Sequence, residues 1–305
     1  MNILLTGSSG QLGTELYSLL LPLGLVTLVD RSAGLHDTIQ QDLTDLHQFE
    51  ILLNRLRPDL IVNTAAYTAV DQAEKDHETA FRLNAELPAC IARWCKTNQR
   101  KLLHYSTDYV FDGVGQHAYR ETDPTGPINV YGDSKLAGEL AIKTSGCKHI
   151  ILRTSWVYST HGNNFLLTML RLAKQRPELG VVSDQTGCPT WARNLARASL
   201  QVLQAVQNDN GLEDGWATHS GTYHYCDATI TTWYDFARVI FAKAVELSIL
   251  NSAPVLNAIA SKDFPQLAIR PMYSVLDTQT VQDRFGVFPP GLDQSLSACL
   301  QDYHA

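Results

Sequence analysis

Seven residues near the N-terminus, Gly7-Ser8-Ser9-Gly10-Gln11-Leu12-Gly13, constrain this chain more than any other stretch. They follow the apolar run Ile3–Thr6 and open the amphipathic segment Gln11–Leu20, so a strand must turn sharply into a helix. Glycines at such a turn bring backbone N–H groups close to a pyrophosphate and let the helix pack against the strand. Gly7, Ser9, Gly10, Gln11, Leu12 and Gly13 are therefore candidate contacts to a dinucleotide. Glycine-rich turns also occur merely as turns, and the weight here comes from the position after a strand.

The rest of the first half repeats the same alternation. Leu25–Val29, Leu60–Asn63, Leu102–Ser106 and Ile150–Arg153 read as buried strands; Leu46–Leu56, Ala80–Lys96 and Tyr131–Ile142 read as helices with apolar faces. Continuous apolar strands separated by helices predict an α/β fold, a doubly wound parallel Rossmann sheet. Beyond residue 155 the pattern changes. Loop-rich stretches (183–190 and 251–271) alternate with helical patterns at Leu195–Val206 and Trp233–Leu247, and Thr222–Tyr225 reads as one more strand of the main sheet. The expected division is a dinucleotide-binding domain at 1–170 plus 192–228, interleaved with a smaller C-terminal substrate domain at 171–191 plus 229–305.

Three further places fit a bound dinucleotide. Asp30, at the end of the second strand, can accept hydrogen bonds from ribose hydroxyls, while Arg31 beside it can pair with a 2′-phosphate. NADH and NADPH both remain open as cofactor. Asp42 and Leu43, after the third strand, can flank the adenine. Ala65 and Ala66, with Tyr67 next to them, follow the fourth strand with side chains small enough for a flat cofactor to approach.

Tyr131 and Lys135 are separated by one helical turn and project from one face. A neighbouring ammonium, together with the positive nicotinamide left by hydride loss, stabilises a phenolate; the pairing predicts a lowered Tyr131 pKa and proton donation near neutral pH. Thr107 closes the fifth strand, where ligands meet parallel sheets, and its hydroxyl can polarise a carbonyl. Strand alternation turns Ser106 away.

Composition narrows the class. The 305 residues carry a net charge of −7 with no basic cluster, which excludes a phosphate-backbone binder. No apolar stretch reaches membrane-spanning length, and the N-terminus lacks the basic flank and apolar core of a signal peptide. Six scattered cysteines without a Cys-x-x-Cys pair fit reduced thiols, so a cytoplasmic enzyme without membrane or nucleic-acid partner is expected.

Longer strings carry a resemblance. The glycine turn, Ser106-Thr107-Asp108-Tyr109-Val110-Phe111-Asp112-Gly113, Asn129-Val130-Tyr131-Gly132 with Lys135-Leu136-Ala137-Gly138-Glu139, and Arg153-Thr154-Ser155-Trp156-Val157-Tyr158 resemble the dTDP-4-dehydrorhamnose reductases, extended short-chain dehydrogenases. Gly162-Asn163-Asn164-Phe165 and Asp184-Gln185-Thr186-Gly187-Cys188-Pro189-Thr190 do so too. The likeness spans nearly the whole chain. It implies NADPH- or NADH-dependent reduction of the C4 ketone of dTDP-4-dehydro-L-rhamnose to dTDP-L-rhamnose, in dTDP-rhamnose biosynthesis. Thr107 and Tyr131 would hold the C4 oxygen, and Lys135 the nicotinamide ribose. Trp156 would pack on the sugar and Arg270 would meet the nucleotide end, with Asp108, Tyr109 and Asn163 as further substrate contacts. Some members bridge a homodimer with Mg²⁺ held by two glutamates. Glu15 matches one, but Trp191-Ala192-Arg193 stands where the other belongs, and an arginine cannot ligate a cation. No metal is expected, and none of the ten histidines falls in a ligand-spaced motif.

Rival readings share the fold. The 4,6-dehydratases resemble one another in placing Asp-Glu after the catalytic Thr, whereas here Asp108 is followed by Tyr109, which lacks that carboxylate base. An epimerase acting on another nucleotide sugar is not separated by residue types alone. A regulatory subunit like the β subunit of methionine adenosyltransferase would bind the dinucleotide without turnover.

Overall fold

The computed structural model describes residues 1–34, 36–208 and 215–303. The first half runs β1 (Asn2–Thr6), α1 (Gln11–Leu20), β2 (Leu25–Asp30), β3 (Thr38–Gln40), α2 (Leu46–Leu56), β4 (Leu60–Asn63), α3 (Val70–Ala73) and α4 (His77–Phe81). It continues through α5 (Leu87–Thr97), β5 (Lys101–Thr107), α6 (Val130–Ser145) and β6 (Lys148–Thr154). Then come β7 (Val157–Tyr158), α7 (Phe165–Ala173), β8 (Glu178–Val182), β9 (Thr186–Gly187), β10 (Thr190–Trp191), α8 (Ala192–Asn208) and α9 (Gly215–His219). The chain closes with β11 (Gly221–His224), β12 (Thr231–Thr232), α10 (Trp233–Glu246), β13 (Val255–Ile259), α11 (Gln279–Phe285) and α12 (Leu292–Gln301).

Seven parallel strands form the main sheet in the order β11-β6-β5-β4-β1-β2-β3, the doubly wound Rossmann arrangement. Because successive side chains of a strand face opposite ways, β1 feeds two cores. Ile3 and Leu5 join Leu16, Leu20, Leu195 and Val202 under α1 and α8; Leu4 joins Phe49, Ile61, Ile91 and Trp94 under α2 and α5. Each such buried side chain contributes about 1.5–3 kcal/mol. Strand order reverses between β1 and β4, and the crevice above that switch point is where open α/β sheets bind ligands.

A third core packs α7, α10 and α12 against β8 and Trp191. Tyr158, Leu166, Met169 and Leu170 belong to this third core, whereas Val281, Phe285 and Val287 of the C-terminal segment pack back onto the main sheet. The stretch 251–271, expected to be loop, contains β13, paired in parallel with β8. Its residues, Val255-Leu256-Asn257-Ala258-Ile259, are exposed or half-buried, and Asn257 interrupts their apolar run, which weakens the pattern of a strand.

The helix expected over Ala80–Lys96 is instead two α-helical pieces joined by a π-turn at Arg82–Glu86. The widened turn points Asn84 inward, where its amide accepts from Tyr67 N at 2.8 Å and donates to Tyr67 O and Ser134 Oγ at 3.0 Å each. π-turns of this kind gather at functional sites. Helix α6 lies directly on it: a Cβ at Gly138 would sit 2.1 Å from Asn84 O.

Candidate active site

The glycine turn has the geometry its sequence demands. Gly7 has φ +71°, and a Cβ there would meet Ala65 N at 2.6 Å, so the end of β1 touches the chain leaving β4 at the switch point. A Cβ on Gly13 would lie 2.2 Å from Gly7 O, which is how α1 seats on the turn. Gly10 caps α1 without a side-chain bond, leaving N–H groups aimed out of the helix, and the buried Ser8 Oγ lacks a partner. Free N–H donors at a helix start and a cradle that any Cβ would fill suit a pyrophosphate.

Other expected cofactor contacts are engaged locally. Asp30 accepts from Ser9 N at 3.0 Å and from Arg31 N at 2.7 Å, bracing the turn, while Arg31 is exposed. Asp42 accepts from the Thr44 N–H and hydroxyl, which hold its carboxyl below the ordinary range. Leu43 is buried in the core. Gln11 accepts from Ser159 and Asn164 and so ties the turn to the loop after β7; Leu12 packs on the core. Ala65, Ala66 and Tyr67 are half-buried, the last held by Asn84.

Thr107 closes β5 and Tyr131 opens α6, and the Thr107 hydroxyl lies close enough to the phenol to ease its ionisation. Thr107 Oγ1 also donates to Asp108 Oδ1 at 2.9 Å. Burial pushes the Asp108 carboxyl up to about 6, against hydrogen bonds from Ser274 and Thr107. Tyr109 packs its ring edge-on to Tyr131 at 5.6 Å. Ser106 faces the other way, toward Glu139.

The pKa of Tyr131 departs from the expectation. Burial pushes the phenol up to about 12, with Asp108 adding to the rise and Thr107 opposing it, so nothing holds it low here. Lys135 is itself pushed down to about 8 by burial, partly countered by Glu139, and its Nζ donates to Tyr105 O at 2.7 Å. The lysine is anchored to the sheet, and depression of the phenol requires the positive charge that a bound nicotinamide brings. Beneath Lys135, Glu139 accepts from Arg153 at 2.8 and 2.7 Å in a buried bidentate pair.

Trp156 holds a left-handed backbone (φ +46°), which costs about 1–3 kcal/mol in a bulky residue. Its indole lies on Gly187 and stacks on Trp233, with centroids 3.5 Å apart. The result is an aromatic wall two residues beyond β6, the strand paired with the Thr107 end of β5. Arg270 pairs with Asp71 at 2.7 Å, hydrogen-bonds Gln266 and lies near the Tyr109 phenol, whose rise it opposes. Asn163 is exposed, and its neighbour Asn164 makes the bonds to Gln11, Ser159 and His161. Sequence reasoning missed Asn84, Asp71, Glu74 and Trp233, which sit in polar or aromatic stretches without a motif.

Glu15 is buried, with Arg193 Nε on its carboxylate at 2.7 Å. Arg193 also pairs with Asp302. Among the described residues no group of His, Cys, Asp or Glu is placed to hold a metal. All six cysteines are buried and unpaired. No helix among the described residues is long and apolar enough to cross a membrane.

A glycine-lined switch point with a Thr–Tyr–Lys set at its rim defines a Rossmann-fold, nicotinamide-dependent oxidoreductase of the short-chain type. The chain belongs to the family described as RmlD substrate binding domain, whose model matches residues 1–305. It is 42% identical over 291 residues to the dTDP-4-dehydrorhamnose reductase of Escherichia coli K12, covering 95% of this chain and 94% of that one. Among solved structures, the dTDP-4-dehydrorhamnose reductase of Clostridium acetobutylicum superposes with a TM-score of 0.87 at 33% identity, over 99% of both chains. The Bacillus anthracis enzyme, solved with NADP, gives 0.84 at 32% identity, also over 99% of both.

Proposed function

We propose that this chain reduces the C4 ketone of dTDP-4-dehydro-L-rhamnose to dTDP-L-rhamnose with NADPH or NADH, in dTDP-rhamnose biosynthesis. The observation that carries the reading is the placement of Thr107 at the carboxyl end of β5 and Tyr131 in the first turn of α6, with Lys135 anchored to the same strand and the glycine turn at the switch point. The nicotinamide, when bound, supplies the hydride. Two hydroxyls form a cradle for one carbonyl oxygen: Thr107, turning its proton away from Asp108, donates and polarises it, and Tyr131 delivers the proton as charge develops there. A phenol held near 12 stays protonated throughout the neutral range, as a proton donor for reduction must. Lys135, fixed on Tyr105 O, stands one turn below to meet the ribose and to stabilise the phenolate left after donation.

The aromatic wall of Trp156 and Trp233 suits the apolar face of a deoxysugar, and Arg270 suits the diphosphate. The partners are then the dTDP-sugar and, on the family resemblance, a second copy of the chain; buried reduced thiols support a cytoplasmic site. Purified protein mixed with NADPH or NADH should lose nicotinamide absorbance when dTDP-4-dehydro-L-rhamnose is added, and dTDP-L-rhamnose should appear by mass. Folded protein without turnover, holding a partner enzyme instead, would replace this reading with the regulatory one.

A further inference from the structure

The short helix α3 carries Asp71 and is capped at its C-terminus by Glu74, three residues further on. Asp71 Oδ1 accepts from Leu267 N and Ala268 N at 3.0 Å each, and its Oδ2 accepts from Arg270 Nη2 at 2.7 Å. Glu74 Oε1 accepts from Val130 N at 2.9 Å, the first N–H of α6 and the residue before Tyr131. Asn129, the cap of α6, accepts from Gly132 N and donates to Ile269 O, both at 2.8 Å. These bonds close a circuit running from α3 to the strand-free segment 266–270, then to the start of α6, then back to α3.

Little else holds that segment. Leu267 is 56% and Ile269 66% exposed, so apolar burial does not fix it, and only Ala268 is buried. Its one cation, Arg270, bonds Gln266 and lies close enough to Tyr109 for its charge to bear on that phenol, and the Tyr109 ring packs edge-on to Tyr131. Burial would raise the Asp71 carboxyl, but the Ala268 N–H, the Arg270 charge and the Leu267 N–H together pull it below the ordinary range. A carboxylate at the α6 N-terminus is also favoured by the helix dipole.

We propose that Asp71, Glu74 and Asn129 are positioning residues forming one clasp, which sets Arg270 for the diphosphate of the nucleotide sugar and fixes the first turn of α6 that carries Tyr131. The proposal rests on the reductase reading above. Its two arms separate by substitution. Asp71→Asn places an amide N–H₂ or an uncharged oxygen against the guanidinium, so the Arg270 arm fails. Glu74→Ala frees the Val130 N–H, whereas Glu74→Gln keeps an oxygen to accept it.

Steady-state kinetics with dTDP-4-dehydro-L-rhamnose and NADPH, and calorimetric binding of thymidine diphosphate, test the clasp. For Asp71→Asn, the sugar KM and the thymidine diphosphate Kd should each rise about tenfold, the low end for a half-exposed charge-assisted bond. That rise should exceed any fall in kcat, and the NADPH KM should stay put. Glu74→Ala should lower kcat by a larger factor than it changes either constant, and Glu74→Gln should restore it. A wild type that binds thymidine diphosphate without turnover sinks the reductase reading, and the binding comparison still decides the Arg270 arm. Equal thymidine diphosphate affinities in wild type and Asp71→Asn, no binding by wild type, or Gln and Ala at position 74 behaving alike overturns the clasp.

Discussion

Replacing Glu139 by Gln should both destabilise the protein and move its pH profile. Glu139 and Arg153 have side chains 0% and 2% exposed, joined by hydrogen bonds of 2.8 and 2.7 Å, with Lys143 at 3.2 Å from the same carboxylate. Removing one member of a buried pair leaves the other charge uncompensated, at a cost of about 3–5 kcal/mol. Glutamine keeps the shape and one acceptor, which favours the low end, about 3 kcal/mol. With a urea slope of about 3 kcal/mol per molar, the unfolding midpoint should fall by about 1 M at neutral pH. Burial would raise the Glu139 carboxyl, but the Arg153 bonds and charge, with Lys143, hold it below its ordinary 4.5. A depressed carboxyl contributes stability that is present above the unfolded value and lost as pH falls through the folded one. The gap between wild type and variant should therefore be full at neutral pH and narrow as pH falls below the ordinary 4.5 and through the depressed folded value. Glu139 also holds the Lys135 ammonium up against burial, so in the variant Lys135 should deprotonate below its present value of about 8. The alkaline fall of kcat/KM should then begin at lower pH. Matching urea midpoints at neutral pH, a gap that widens on acidification, or an unmoved alkaline limb would each refute the reasoning.

Tyr131→Phe removes the proton donor but keeps the ring against Tyr109, so turnover should fall about 10²–10⁴-fold while NADPH binds almost as before; wild-type rates would take Tyr131 out of the mechanism. Gly13→Ala puts a methyl where 2.2 Å separates it from Gly7 O, so titration of cofactor fluorescence should show about tenfold weaker binding in a protein with a normal circular-dichroism spectrum; unchanged affinity would mean the turn yields freely. Because Arg193 lies on the Glu15 carboxylate, dialysis against EDTA should leave turnover and oligomeric state as they were, and a loss reversed by Mg²⁺ would contradict that.

The main sheet was legible because a parallel sheet covered on both faces needs runs such as Leu60–Asn63 and Lys101–Thr107, which are buried almost throughout. The glycine turn was legible because its constraint is local: every glycine there answers to atoms within a few residues or to the chain leaving the adjacent strand. The second half was harder to read. Val255–Ile259 is largely exposed and gains its strand character only from β8, and the π-turn at Arg82–Glu86 breaks a helical pattern for the sake of one asparagine side chain.

The site divides along the same line. Tyr131 and Lys135 announce themselves because one helical turn joins them, whereas the groups that orient them are brought in from far along the chain. Asp71 reaches Arg270 across 199 residues, Asn129 reaches Ile269 across 140, and Glu74 reaches Val130 across 56. Asn129 stands in a recognisable string, but Asp71 and Glu74 do not, since a carboxylate accepting a backbone N–H needs no side-chain partner to be recognised by. Spacing therefore exposes the groups to which we assign the chemistry, and topology exposes those we propose to aim them. The raised Tyr131 pKa has the same origin: a pair read from spacing predicts a lowered value, but Lys135 is turned onto Tyr105 O and burial sets the phenol instead.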